Sequence, residues 1–140
     1  YRDPLDMLVH EPVAQELDAL RRADLELGEN LAPHWENDFA CVVVLPDAPW
    51  SRRVIGSLAN RLASKHPQRA HAVLKPLRDG GFVVSVRAPL STPVGANELC
   101  GRFGGAGRAA AAGIDLLPDD DLERFISEFD AFPFHLCVRP

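Results

Sequence analysis

The sequence predicts one α/β domain, a mixed β-sheet of about four to five strands flanked by helices. Three observations carry this. Short apolar runs rich in β-branched residues, "FACVVVL" and "FVVSVRA", suit strands. Longer segments such as "SRRVIGSLANRLASKH" and "LERFISEF" repeat their apolar residues every three or four positions, as helices do. The two kinds alternate, which calls for helices packed on a sheet rather than separate α and β layers. A chain of 140 residues, 46% hydrophobic and 25% charged, is the size and composition of one soluble domain.

Pro12 to Leu27 reads as a helix with Val13, Leu17, Leu20 and Leu27 on one face and Gly28 as its stop. Leu31 to Asp38 has no period and reads as a loop. Phe39 to Leu45 is a strand apolar enough to be covered on both faces. Ser51 is a fitting N-cap for the next helix, whose stripe is Val54, Ile55, Leu58 and Leu62, and Pro67 ends it. Strands from Arg69 to Pro76 and from Phe82 to Ala88 flank the turn Arg78-Asp79-Gly80-Gly81, a hairpin signal. A short helix from Val94 to Phe103 turns Leu99 and Phe103 inward. After a glycine-alanine stretch come a brief strand at Ile114 to Leu117 and a helix opened by Pro118 and three aspartates. That helix carries Leu122, Phe125, Ile126 and Phe129. Phe134 to Val138 is a candidate last strand.

The net charge of −5 argues against a broad basic footprint for long nucleic acid, while leaving room for one or two arginines to hold a phosphate. Cys41, Cys100 and Cys137 form no C-x-x-C pair, so neither a zinc site nor a disulfide framework is suggested and a reduced, cytoplasmic setting is expected. No apolar run is long enough for a membrane span, and the charged opening Tyr1-Arg2-Asp3 lacks the apolar core of a signal peptide. The absence of an initial methionine is consistent with processing or with a piece of a longer protein.

Two stretches point to chemistry. In "VVSVR" the period of two puts Ser85 and Arg87 on one face and Val84 and Val86 on the other. A hydroxyl and a guanidinium so placed can donate to one phosphate or carboxylate; the alternative is a solvated hairpin face. In "FGGAGRAAAAG", four glycines and five alanines surround Arg108. Gly104 suits a left-handed helix C-cap, Gly105 and Gly107 permit close backbone approach, and the alanines are expected to open a short helix aimed back at the loop. Loop glycines with a helix N-terminus and Arg108 make an anion site; the alternative is a tight turn that merely packs closely.

Other chemistries find less support. Gly105-Ala-Gly107-x-x-Ala110 imitates a dinucleotide fingerprint but follows helical rather than strand spacing and lies too late in the chain. His10, His34, His66, His71 and His135 never fall at metal-ligand spacing, and no G-x-S-x-G elbow or P-loop is present. Asp119-Asp120-Asp121 is explained by helix capping, and Asp3 with Asp6 has no histidine beside it. No nucleophile, base and electrophile come together, so the chain is not expected to catalyse alone.

The order "GSLANRLASKHP", "DGGFVVSVRAP", "ELCGRFGGAGRAAAAG" and "LERFISEF" resembles the DHH-associated domain of the first type, the C-terminal half of DHH-family phosphoesterases. Its relatives include RecJ exonucleases, oligoribonucleases, cyclic-dinucleotide phosphodiesterases and, more distantly, the C-terminal part of alanyl-tRNA synthetases. The resemblance covers about Phe39 to Phe129. It implies that Ser85, Arg87, Gly104, Gly105, Gly107 and Arg108 hold the substrate phosphate. It also implies a division in which residues 1–38 form a helix and junction with an upstream domain and residues 39–140 form the substrate-binding domain. The family's manganese and its Asp-His-His motif belong to that upstream DHH domain of the same polypeptide, and a short oligonucleotide or nucleotide is the implied substrate. A homodimer is left open. The family loop reads G-G-G-G-H; here its third glycine is Ala106 and its histidine is Arg108, which raises a non-catalytic phosphate-binding or regulatory module as the alternative.

Overall fold

Strand pairing begins where β-branched residues can be buried on two faces at once. The computed structural model describes residues 22–134, leaving aside the side chain of Arg52. Among these, six strands form one sheet in the order β1-β2-β3-β4-β6-β5, with β1 at Trp35–Glu36, β2 at Ala40–Val44, β3 at Ala70–Pro76, β4 at Phe82–Arg87, β5 at Ala106–Gly107 and β6 at Ala111–Leu117. Four α-helices accompany them, α1 over residues 22–29, α2 at Pro49–Lys65, α3 at Ala96–Gly101 and α4 at Leu122–Ala131, the last led in by a 3-10 turn at Asp119–Asp121. The architecture is the mixed α/β sheet the sequence predicts, with one or two more strands.

β2 and β3 run parallel because α2 crosses over between them, and the remaining pairs are antiparallel. Alternation along the strands divides the core in two. Ala40, Val42, Ala72, Leu74, Val84 and Val86 face α3 and α4, where they meet Leu99, Phe125 and Phe129. Cys41, Val43 and Val73 face α1 and α2, where they meet Leu25, Val54 and Leu58.

Several expectations are corrected. The loop before β2 contains β1, whose two residues pair with Val42 and Cys41. Ser51 is not the N-cap. The helix opens two residues earlier with proline at its first position, and the buried Ser51 Oγ donates to the Pro46 carbonyl at 2.7 Å. Gly28 lies inside α1, where a Cβ would come within 2.8 Å of Leu58 Cδ2, so its use is close helix packing. The alanines after Arg108 open no helix: Ala111 and Ala112 are already in β6, paired with β4 and with Gly107 of β5. Their backbone groups are taken by two neighbouring strands, which outweighs alanine's modest helix preference. The segment of the expected first helix before residue 22, and the expected last strand after Phe134, lie outside the described residues.

Candidate functional site

β4 sits between β3 and β6, and its pairing fixes what stands beside each residue. Ser85 lies between Val73 and Gly113, and Arg87 between His71 and Ala111. Since Val73 packs under α2, Ser85 and Arg87 face α2 as well, on one face as their spacing predicts.

Arg87 then reaches across to the helix. Its Nε donates to Asn60 Oδ1 at 2.7 Å, its Nη1 to the Val86 carbonyl at 3.1 Å, and its Nη2 makes a longer contact of 3.5 Å with the Gly56 carbonyl. All three acceptors are neutral, so the guanidinium is oriented without being neutralised. Burial pushes the Arg87 pKa below its ordinary value, the nearby Arg108 adds to that, and Cys100 opposes it. Arg108 is exposed and makes no ion pair among the described residues. The half-buried Ser85 hydroxyl is free of protein hydrogen bonds among the same residues. Arg108 thus bears electrostatically on Arg87, and among the described residues no carboxylate is paired to either.

The glycines serve two different needs. Gly104 has φ +81° and open space around it, as a left-handed C-cap should. A Cβ on Gly105 would lie 2.2 Å from the Gly113 carbonyl oxygen, and one on Gly107 2.4 Å from Ala112 Cα. The close approach expected of this loop is therefore made first to the chain's own β6. That contact closes a tight hairpin, with the Arg108 amide donating to the Ala111 carbonyl at 2.8 Å, and so sets Arg108 at the tip beside Arg87. Asn60 and Gly56, four apart on α2, were not singled out by sequence; their i,i+4 spacing on the polar side of that helix was the available signal.

Among the described residues, Cys41 and Cys100 offer no nucleophile. Burial raises the pKa of Cys41 and pushes that of Cys100 up to about 12, so both remain thiols. Among the described residues no three His, Cys, Asp or Glu side chains converge as metal ligands.

With this geometry in place, the sequence matches the DHHA1 domain family over residues 37–132. The chain belongs to the DHHA1 family. Two solved structures share its fold at low identity. One is the pGpG-specific phosphodiesterase PggH from Vibrio cholerae, with a TM-score of 0.59, 14% identity, and coverage of 93% of this chain and 47% of that one. The other is an exopolyphosphatase-related protein from Bacteroides fragilis, with a TM-score of 0.61, 12% identity, and coverage of 84% of this chain and 36% of that one. The DHHA1 chain thus spans less than half the length of either. Among curated proteins none matches it by sequence. No helix among the described residues is long and apolar enough to cross a membrane.

Proposed function

We propose that this DHHA1 domain is the substrate-binding part of a DHH-family, metal-dependent phosphoesterase acting on a short oligonucleotide or nucleotide. Ser85, Arg87 and Arg108 clamp a phosphate, and Gly104, Gly105 and Gly107 shape the loop that carries Arg108. The carboxylates and manganese that activate water belong to an upstream DHH domain of the same polypeptide, and this half positions the phosphate for attack. The observation that carries the reading is Arg87, held by Asn60 and by two carbonyls with Arg108 beside it and no carboxylate paired to either. The pGpG-specific phosphodiesterase activity of PggH supports a phosphodiester substrate.

A second reading rests on Arg108 itself. Where the family loop carries histidine, an arginine binds phosphate with a permanent charge but cannot exchange a proton near neutral pH. Such a site suits a domain that holds a phosphorylated ligand without assisting its hydrolysis.

An NMR titration of the chain with a 5′-phosphorylated dinucleotide tests both. Saturable shifts in the Ser85, Arg87 and Gly104–Gly107 amides, weakened by Arg108→Ala, are expected. Arg87→Ala should keep the fold and lose about 1.5–3 kcal/mol of binding. Unchanged spectra at saturating ligand would remove the clamp. A full-length parent lacking the Asp-His-His motif would favour the second reading.

A further inference from the structure

A groove of about 720 Å³ opens beside the turn between β3 and β4, and no residue of the phosphate clamp lines it. Sites for one small organic molecule have this size, roughly 300–1,000 Å³. The apolar surface of the groove comes from Ile55 of α2, Leu77 after β3, Val83 of β4 and Leu116 of β6. Leu116 is 56% exposed and the other three are half-buried, so apolar area is left for a ligand to cover.

Lys75 lines the same groove and pairs with Val83 across the β3–β4 ladder. It is 8% exposed, yet among the described residues its ammonium, with three N–H bonds to give, finds only the Pro76 carbonyl at 3.0 Å. One neutral carbonyl replaces neither the water shell of a buried ammonium nor its counter-charge, so Lys75 is held at a cost that an arriving anion relieves. Arg78 at the rim is exposed and makes no ion pair among the described residues, and the Asp79 carboxylate pairs with neither cation. Two cations and one carboxylate leave the groove a single net positive charge. A monoanion balances that charge. A phosphate monoester brings a second negative charge that nothing in the groove matches and that Asp79 opposes.

We infer that this groove binds a small amphipathic monocarboxylate, its carboxylate on Lys75 and Arg78 and its apolar body on Ile55, Leu77, Val83 and Leu116. The site is separate from the clamp and goes beyond the phosphoesterase reading, since neither Arg87 nor Arg108 lines it. Burial of the apolar body supplies affinity, and the buried ammonium selects for the charged head.

The test is an NMR titration of the chain with 3-phenylpropionate beside two controls, its neutral amide and acetate. Saturable shifts are expected in the Lys75, Arg78, Val83 and Leu116 amides, with both controls binding about tenfold or more weakly. Lys75→Met should weaken 3-phenylpropionate about tenfold or more. If that variant fails to fold, Arg78→Ala and Leu116→Ser, both at exposed positions, carry the test, and each should weaken binding severalfold. Arg87→Ala should leave binding unchanged. Binding lost with Arg87→Ala would put the carboxylate at the clamp and overturn this site while keeping the clamp reading. An amide as tight as the carboxylate would show that Lys75 meets no anion here, and acetate as tight as 3-phenylpropionate would remove the apolar floor. Either result overturns the inference, as does wild-type affinity in the groove variants that fold or the absence of saturable shifts at these amides.

Discussion

His71 and Arg87 are direct partners on neighbouring strands and point to the same side of the sheet, yet the fold treats them in opposite ways. His71 lies in the half covered by α1 and α2. It is 1% exposed and, among the described residues, neither ring nitrogen finds a hydrogen-bond partner, although it borders a cavity of about 160 Å³. Burial first, then the neighbouring His66 and Arg69, lower its pKa to about 4, so it is neutral at pH 7. Arg87 lies one strand further toward β6, where side chains stay half-exposed, and it keeps its charge because Asn60 and two carbonyls hold it without neutralising it. One row of one sheet face thus passes from a buried neutral imidazole to a half-buried guanidinium within a single strand spacing. The cover above the strands sets the difference, rather than the strands themselves.

The strongest way to break this contrast is to remove the cover. Leu58 of α2 is fully buried over the β2–β3 half. Leu58→Ala should cost about 2–5 kcal/mol, read from chemical denaturation. That is a large share of the roughly 5–15 kcal/mol available to a domain. On the open half the corresponding break is in the hairpin: Gly105→Ala sets a methyl against the Gly113 carbonyl oxygen, and a loss on the order of 3 kcal/mol is expected. Gly104→Ala meets open space and strains only its φ of +81°, so about 1 kcal/mol is expected. Equal costs for the two glycine variants would mean that backbone conformation, not the approach to β6, governs the loop.

The contrast is sharpened by pH. His71 binds its proton less readily in the fold than its ordinary value of 6.5 would allow, so between pH 6.5 and about 4 the unfolded chain takes up more protons than the folded one. The stabilising contribution of neutral His71 is fully present above pH 6.5 and is lost as pH falls toward 4. Denaturation midpoints measured across that window should fall with pH, and His71→Leu should flatten this part of the curve. An unchanged slope in the variant would show that other groups carry the acid sensitivity. Arg87→Ala, by contrast, should leave the curve nearly unmoved, since Arg87 stays charged throughout.

The sequence exposes the face logic better than the cover. The β-branched runs predict β2 and β4, the glycine turn before β4 adds β3, and the period of two already places Ser85 beside Arg87. What it conceals depends on long-range pairing. β5 is two residues, Ala106 and Gly107, with no preference for a strand of their own; they are extended because β6 is there to pair with. The alanines that look helical are extended for the same reason. Asn60 and Gly56 matter because of the path α2 takes over β3 and β4; their i,i+4 spacing puts them on one side of the helix, but no local pattern encodes the crossing. Ser51 misled because its hydroxyl satisfies the Pro46 carbonyl from inside the first turn, a use that resembles capping in sequence.

The smallest effect tests how Arg87 is held. Gly56 is a helix-interior glycine, costing about 1 kcal/mol relative to alanine, and a Cβ there would meet only Arg87 Nη2, at an ordinary 3.9 Å. Gly56→Ala should therefore stabilise the chain by up to about 1 kcal/mol while leaving phosphate binding intact. Gly56→Leu gains a similar propensity but fills the space the guanidinium occupies. It should keep the stability and lose binding, because Arg87 can then no longer lie across α2 to Asn60. Denaturation and ligand titration of the two variants separate the roles: stability follows the helix, and affinity follows the room left beside it. If Gly56→Leu binds as wild type does, the contact with α2 is incidental, and Arg87 acts from the strand alone.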